Sequence, residues 1–257
     1  MDIAKPVKRN VLLNPGPATT SDAVKYAQVV PDICPREQEF VDIMTQVRKD
    51  LVKVVHGDPE KYCAVIFTGS GTIIQDVLVN SLVPDGKKIC VVNNGAYSAR
   101  MVEIAEYYHI PCVDLKFPST GLPDLAVVKE TLEKDKDIAV VATVHHETGT
   151  GVLNPIKEIG QIAHDNDAIF MVDTISTYGL LPIDIQEQNI DFLMSSAQKG
   201  LAGMTGASWT VGKIEEIEKT KDYPTRSYYC NLFMQYDFFD RVGEMHFTPP
   251  VQTMYAL

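Results

Sequence analysis

"CAVIFTGSGTIIQDVLVNSL", residues 63–82, joins an apolar run to a segment of helical pattern through a turn that contains two glycines. The run 63–67 is apolar without interruption, which is typical of a strand buried on both faces of a parallel sheet. The segment after the turn has the apolar spacing of an α-helix. The stretch therefore predicts a strand, a turn and a helix in succession, the unit from which α/β folds are built.

Similar apolar runs recur along the chain and alternate with segments of helical pattern. Further strands are predicted at 88–92, 138–144, 168–172, 191–194 and 208–212. Helices are predicted at 71–83, 97–108, 124–134, 156–166 and, from a weaker pattern, 180–188. This alternation predicts an α/β fold with a mainly parallel central sheet and helices on both faces.

Composition and charge exclude several classes of protein. The 257 residues are 45% hydrophobic, carry a formal net charge of −11 and contain no run rich in Lys or Arg, which argues against nucleic-acid binding. No apolar run approaches the roughly 20 residues needed to span a membrane, and residues 1–10 lack the apolar segment of a secretory signal. The five scattered cysteines lack zinc-site spacing, so we expect free thiols, no metal and a cytoplasmic location.

Ligands of open α/β sheets gather at the carboxyl ends of the strands, so the residues just past each run are informative. "TGSGT" (68–72) places glycines on both sides of Ser70 at a predicted helix start, where free backbone N–H groups and the helix dipole favour an anion such as a single phosphate. A plain strand–turn–helix junction has the same pattern. Tyr97 follows the apolar run 88–92, and its ring either faces a ligand or packs in the core.

Polar residues crowd the ends of the next three runs. "HHETGTG" (145–151) contributes hydroxyl, imidazole and carboxyl groups, which either face a ligand or bond their own turn. Asp173 follows the run 168–172 and needs a partner if it is buried, unless it is a helix N-cap. Lys199, in "SSAQKG" (195–200), follows the run 191–194.

Together these strand ends supply what pyridoxal 5′-phosphate (PLP) requires. A lysine amine forms a Schiff base with its aldehyde, and a carboxylate keeps its pyridine nitrogen protonated, which makes the ring an electron sink. An aromatic ring stacks on the pyridine, a glycine-containing turn holds the phosphate, and a hydroxyl orients the ring oxygen. The sequence therefore predicts a PLP site at the carboxyl edge of the sheet.

The order and spacing of these motifs resemble the fold-type I, PLP-dependent aminotransferases of class V. The resemblance covers nearly the whole chain, and within the family it extends to the phosphonate subgroup, which transfers the amino group of 2-aminoethylphosphonate to pyruvate. The motifs that carry it are "NPGPATTSDAV" (14–24), "GSG" (69–71), "NGAYSARM" (94–101), "HHETGTGVLNPI" (145–156), "VDTISTYGLLPIDI" (172–185) and "DFLMSSAQKG" (191–200).

The resemblance implies a role for each matching residue. Lys199 is expected to form the Schiff base and Asp173 to pair with the pyridinium nitrogen. Tyr97 would stack on the ring, and Thr148 would contact its 3-oxygen. The phosphate contacts would come from Ser70, Gly71, Thr72 and Gln198.

The resemblance also implies domains and a partner. Within "HFTPPV" (246–251), Thr248 would reach the phosphate of a neighbouring subunit, which implies a homodimer with shared active sites, although Met245 stands where relatives often have an aromatic residue. Residues 1–30 would form an N-terminal segment at the substrate mouth, and residues 31–257 the PLP-binding large domain. Relatives continue into a small C-terminal domain with a substrate-binding arginine, and that domain is expected to be absent from this chain.

The leading functional expectation is transamination of 2-aminoethylphosphonate with pyruvate, giving phosphonoacetaldehyde and alanine, or the reverse. Alternatives are alanine– or serine–glyoxylate transamination, or a truncated PLP-binding dimer without turnover. Cysteine desulfurase is disfavoured, because that branch usually has a histidine where this chain has Gln198. Arg36 either lies near the substrate mouth or is an ordinary surface charge.

Overall fold

A seven-stranded sheet forms the centre of the computed structural model, which describes residues 10–257. Its strand order is β1-β9-β8-β7-β4-β2-β3; only β9 runs antiparallel to its neighbours, and β5 pairs with β6 in a separate two-stranded hairpin. The strands are β1 (Tyr62–Gly69), β2 (Lys88–Asn93), β3 (Cys112–Lys116), β4 (Ile138–Val144), β5 (His146–Glu147), β6 (Val152–Leu153), β7 (Ile169–Asp173), β8 (Phe192–Ser196) and β9 (Gly206–Lys213).

Most of the helices pack against this sheet. In chain order the helices are α1 (Asp22–Ala27), α2 (Gln38–Val54), α3 (Gly71–Leu82), α4 (Ala96–Tyr107), α5 (Leu125–Lys134), α6 (Ile156–His164), α7 (Ile214–Lys219), a 3-10 turn (Thr220–Asp222), α8 (Leu232–Val242) and α9 (Val251–Tyr255). Every residue of β8 is buried, as are nearly all of β2 and β4. Because successive strand residues face opposite sides, this burial means that both faces of the sheet are covered. The α/β prediction, with a mainly parallel central sheet, is confirmed.

The predicted elements agree with the structure in all but one case. The six predicted strands and the first four predicted helices are present, with ends that differ by two residues or fewer. The helix predicted at 180–188 is wrong: the segment consists of turns and irregular backbone. Pro182 cannot donate a helical hydrogen bond, the Asp184 side chain bonds the N–H groups of the next turn, and Ile185 N bonds to Val55 O instead.

Two further expectations concern the start of the chain and the absence of a membrane span. Residues 1–9 belong to the predicted N-terminal segment 1–30 and to the stretch analysed for a secretory signal, and they lie outside the described residues. Within residues 10–257, none of the helices combines the length and the apolar character that crossing a membrane requires.

Candidate active site

One cleft at the carboxyl edge of the sheet collects the residues predicted for the ring and the lysine. Because β4, β7 and β8 are parallel neighbours, their carboxyl ends lie side by side, and the first turn of α4 faces the same edge. The cleft is lined by Tyr97, Val144, His146, Thr148, Asp173, Ile175, Ser176 and Lys199. Tyr97, Thr148, Asp173 and Lys199 were predicted from the sequence, and the structure brings them together.

Lys199 lies on the turn that follows β8 and is half-buried. Its Nζ donates to the carbonyl oxygen of Gly16, 3.4 Å away, and Ala18 N donates to Gln198 O at 2.8 Å. Gly16 has a φ of +139°, and a Cβ there would overlap the Lys199 side chain. Glycine is therefore required where the N-terminal segment crosses the lysine.

Asp173 ends β7 with its side chain buried at 3% exposure. Oδ2 accepts from Gln75 Nε2 at 2.7 Å and Oδ1 accepts from Ile175 N at 2.9 Å. Burial raises the pKa of this carboxyl to about 6; the two hydrogen bonds oppose that rise and the charge of Glu147 adds to it. Within residues 10–257 no cation lies within ion-pair distance, so this carboxylate is suited to a cationic partner supplied by a ligand.

Glu147 fixes the position of Tyr97. This carboxylate is fully buried and accepts from Tyr97 N at 3.3 Å, from Ser98 N at 2.8 Å and from Ser98 Oγ at 2.7 Å. It thereby satisfies free N–H groups at the start of α4 and opposes the positive end of the helix dipole. Gly95 allows this approach, because a Cβ there would overlap the carboxylate. The sequence showed Glu147 only as one member of a polar group.

Arg100 is a second residue that the sequence did not single out. Its guanidinium carbon lies 4.9 Å from the centroid of the Tyr97 ring, and its Nη1 donates to Thr72 Oγ1 at 3.3 Å. Arg100 therefore links the predicted stacking ring to the predicted phosphate turn. The only advance signal was its spacing of three residues from Tyr97 in a predicted helix.

The two histidines after β4 have different environments. His145 is buried, with Nδ1 3.0 Å from Thr177 Oγ1, and burial lowers its pKa to about 4, so that its ring is neutral at neutral pH. His146 lines the cleft, with Nδ1 3.1 Å from Ser176 Oγ. His145 thus supports the wall of the cleft, and His146 is the histidine that a ligand would meet.

The predicted phosphate turn begins α3. Ser70 is the N-cap residue of this 12-residue helix, and its side chain makes no capping hydrogen bond. A Cβ on Gly71 would lie 2.8 Å from Ile175 Cδ1 and 3.3 Å from Ser196 Oγ. The first turn of α3 therefore packs against the ends of β7 and β8, next to the cleft.

Thr248 and Arg36 lie away from the cleft of their own chain. Thr248 is exposed, and its carbonyl oxygen accepts from Thr68 Oγ1 at 3.3 Å. Arg36 Nη1 bonds to Glu244 Oε2 at 2.7 Å and to Met245 O at 2.5 Å. Arg36 thus ties the N-terminal region to the loop after α8, and a contact of Thr248 with a second subunit stays a prediction.

The profile of one protein family matches this chain along most of its length. The family described as aminotransferase class-V matches residues 22–257. The chain belongs to the class-V aminotransferases. This family and its fold imply dependence on PLP.

Individual relatives agree with this assignment. Over 245 residues the chain is 35% identical to the 2-aminoethylphosphonate–pyruvate transaminase of Lysinibacillus sphaericus, covering 95% of this chain and 66% of that protein. Over 247 residues it is 35% identical to the bifunctional phosphonoacetaldehyde hydrolase/aminoethylphosphonate transaminase of Clostridioides difficile, covering 96% of this chain and 38% of that protein. The crystal structure of an alanine–glyoxylate aminotransferase from Nostoc sp. has a TM-score of 0.89 at 25% identity, covering 98% of this chain and 67% of that one.

The chain spans about two thirds of the length of the single-function transaminase from Lysinibacillus sphaericus. It spans a smaller share, 38%, of the bifunctional protein. The similarity therefore extends over nearly all of this class-V chain, but over only part of each of these relatives.

The residues of this class-V chain fit PLP. Ser196 Oγ and Gln198 Oε1 are buried and have no hydrogen-bond partner within residues 10–257. A hydroxyl can donate to a phosphate, and so can the amide of Gln198 if it turns its NH2 group toward the ligand. With the free N–H groups at the start of α3, these atoms form a donor set suited to a phosphate monoester. The buried Asp173 carboxylate similarly suits a pyridinium nitrogen.

Proposed function

We propose that this chain is a PLP-dependent aminotransferase that transfers the amino group of 2-aminoethylphosphonate to pyruvate. The products would be phosphonoacetaldehyde and alanine, and the reaction would run in reverse in a biosynthetic setting. The observation that carries the proposal is the arrangement of Lys199 and Asp173 in one cleft of a chain that is 35% identical to a transaminase of this name.

Lys199 and Asp173 would be the catalytic residues. Bound PLP supplies an electron sink that stabilises negative charge on the substrate carbon bearing the amine. Lys199 would hold the cofactor through its amine, and after release Nζ would take a proton from that carbon as a general base. Asp173 would hold the proton on the pyridine nitrogen through its carboxylate. Burial disfavours the charged carboxylate of Asp173, and a nearby cation offsets that desolvation penalty, so pairing with the pyridinium is favourable at this position.

The remaining predicted residues would bind and orient. Tyr97, fixed by Glu147, would stack on the pyridine ring, and Thr148 would contact the ring 3-oxygen. The phosphate would be held from one side of the cleft by the turn that starts α3 and by the turn after β8. Its proposed contacts are Ser70, Gly71, Thr72 and Gln198, with Thr248 of a second subunit.

We include a homodimer and a cytoplasmic location in the proposal. The dimer is supported by the resemblance, which places Thr248 at the phosphate of a neighbouring subunit, and Thr248 is not among the residues that line the cleft of its own chain. The location is supported by the cysteines, all five of which are free, as is usual in a reducing compartment.

The test combines a turnover assay with cofactor spectra. Purified protein with PLP should convert 2-aminoethylphosphonate and pyruvate to alanine, and Lys199→Ala should abolish both turnover and the visible absorbance band of the bound cofactor. Lys157→Ala, which removes an exposed lysine of α6, is the matched control and should leave both unchanged. Full activity in Lys199→Ala would refute the proposal.

Turnover assays and cofactor spectra of the same purified protein also distinguish two alternative functions. Alanine– or serine–glyoxylate transamination is supported by the similarity to the Nostoc enzyme, and faster turnover of alanine or serine with glyoxylate would favour it. A PLP-binding dimer without turnover would show the absorbance band, lost in Lys199→Ala, but no product from any of these pairs.

A further inference from the structure

We propose that Arg100 is a positioning residue for the PLP site, which joins the ring of Tyr97 to the phosphate-binding turn at Thr72. The inference rests on the proposed function and deepens it, because it assigns a role to a residue for which the resemblance implied none. Two contacts of one side chain carry it, and they reach the two ends of the proposed cofactor site.

The first contact is with the stacking ring. Tyr97 and Arg100 lie three residues apart in the first turns of α4, so their side chains share one face of the helix. The guanidinium carbon is 4.9 Å from the ring centroid, within the roughly 6 Å range of a cation–π interaction. The helix start is itself anchored by Glu147. The guanidinium therefore restricts the ring, whose backbone is already fixed.

The second contact is with the phosphate turn. Arg100 Nη1 donates to Thr72 Oγ1 at 3.3 Å, and Thr72 is the second residue of α3. Since this oxygen accepts from Arg100, the Thr72 hydroxyl proton is left to donate to another acceptor. A phosphate oxygen at the start of α3 is such an acceptor.

The charge of Arg100 also remains available. Within residues 10–257 no carboxylate lies within 4.0 Å of its guanidinium. Burial raises the pKa of the Asp173 carboxyl in the cleft, and the charge of Arg100 opposes a small part of that rise. A cation placed beside the positive end of α3 adds to the attraction for a phosphate dianion.

If Arg100 positions the cofactor site, its removal should weaken cofactor binding, whereas removal of an ordinary surface arginine should not. A role at the phosphate turn should also show more strongly with a ligand that carries a phosphate group than with one that lacks it. Cofactor-free protein is titrated with PLP and, separately, with pyridoxal, which has the same ring and aldehyde but no phosphate. Arg100→Met should weaken PLP binding about fivefold, the size of one partly screened charge interaction, and weaken pyridoxal binding less. Raising the salt concentration should shrink the PLP difference.

Three further variants sharpen the test. Arg100→Lys keeps the charge but not the planar fork that reaches both partners, so it should recover part of the PLP affinity. In a Thr72→Val background, Arg100→Met should cost less than in the wild type, because the linked hydroxyl is gone. Arg241→Met removes an exposed arginine of α8, outside the cleft, and should leave PLP and pyridoxal affinities unchanged.

The outcomes separate this inference from the proposed function. If the wild type binds PLP and Arg100→Met binds PLP equally well, or loses PLP and pyridoxal affinity to the same extent, the role of Arg100 is refuted alone. If the wild type binds no PLP, both proposals fail. Urea unfolding of each variant confirms that an affinity change does not reflect loss of the fold.

Discussion

Asp173 allows a sharp test of the site in the cofactor-free protein. Burial raises the pKa of its carboxyl from 3.8 to about 6 in the folded state. The folded protein therefore holds this proton more tightly than the unfolded chain does. The corresponding stability is fully present below about pH 4 and is lost as the pH rises through about 6. The difference between these two pKa values is worth about 3 kcal/mol in the free energy of unfolding.

Asp173→Asn removes this ionisation and keeps the shape of the side chain. Relative to the wild type, the variant should gain up to about 3 kcal/mol in unfolding free energy between pH 4 and pH 7.5, as the wild-type carboxyl ionises. Rearranged hydrogen bonds with Gln75 and Ile175 shift the variant by a similar amount at every pH. The pH-dependent part of the difference therefore isolates the buried charge.

The assay is urea unfolding of both cofactor-free proteins at intervals across this pH range. Asp191→Asn is the matched control, since Asp191 is equally buried but paired with Lys213 Nζ at 2.6 Å and His164 Nε2 at 2.8 Å. Burial alone would raise the pKa of Asp191, but the bonds from His164 and Lys213 outweigh it and lower that pKa. Asp191→Asn should therefore destabilise the protein by a nearly constant amount from neutral pH down to about pH 5, and the loss should shrink only as the pH falls below about 4.

A difference between Asp173→Asn and wild type that stays constant from pH 4 to 7.5 would refute the reasoning, because it would mean that the folded protein does not disfavour this charge. Added PLP should reverse the ranking at neutral pH. The wild type would gain stability from the bound cofactor, whereas the asparagine variant, which cannot hold the pyridinium proton as a carboxylate does, would gain less.

Two glycines make further predictions, with Gly121→Ala as their common control, because a Cβ at Gly121 comes no closer than 3.8 Å to any neighbour. Gly16→Ala would displace the Lys199 side chain and should lower turnover about a hundredfold, the typical consequence of misplacing a reacting group by about 1 Å; unchanged turnover would show that the N-terminal segment does not position the lysine. Gly95→Ala would push the Glu147 carboxylate away from α4 and should destabilise the fold by about 1–3 kcal/mol in urea unfolding. A loss no larger than that of Gly121→Ala would contradict the close contact.

Much of the sheet could be predicted because its strands are buried on both faces. The run 138–144 has no polar residue except Thr143, and it became β4 with the same ends. By contrast, β3 (Cys112–Lys116) lies at the edge of the sheet and is only half-buried. Polar residues such as Asp114 and Lys116 are tolerated there, so no continuous apolar run indicates this strand in the sequence. The helix α2 (Gln38–Val54) also carries a periodic apolar stripe, with Phe40, Met44 and Leu51 buried, but it precedes β1 and so lies outside the alternation of strand and helix patterns from which the helices were predicted.

Some residues of the candidate site could also be predicted from the sequence, and others could not. Residues such as Asp173 and Lys199 could be found because a polar or charged group directly after an apolar strand is unusual along the sequence. Glu147 and Arg100 could not be assigned roles in this way, since their partners come from other elements. The hydrogen bonds that Ser98 donates to Glu147 and that Arg100 donates to Thr72 exist only once α3, α4 and the β5–β6 hairpin have packed together.

Strand order explains how separate sequence signals become one site. β7 lies between β4 and β8, and the pairing places Asp173 opposite Val144 on one side and opposite Met194 on the other. The three strands thus reach the carboxyl edge level with one another, and Asp173 stands between the hairpin that carries Thr148 and the turn that carries Lys199. A shift of one residue in either pairing would turn Asp173 to the other face of the sheet relative to its neighbours. The buried carboxylate and the lysine therefore depend on the same register, which the apolar cores of the three strands fix.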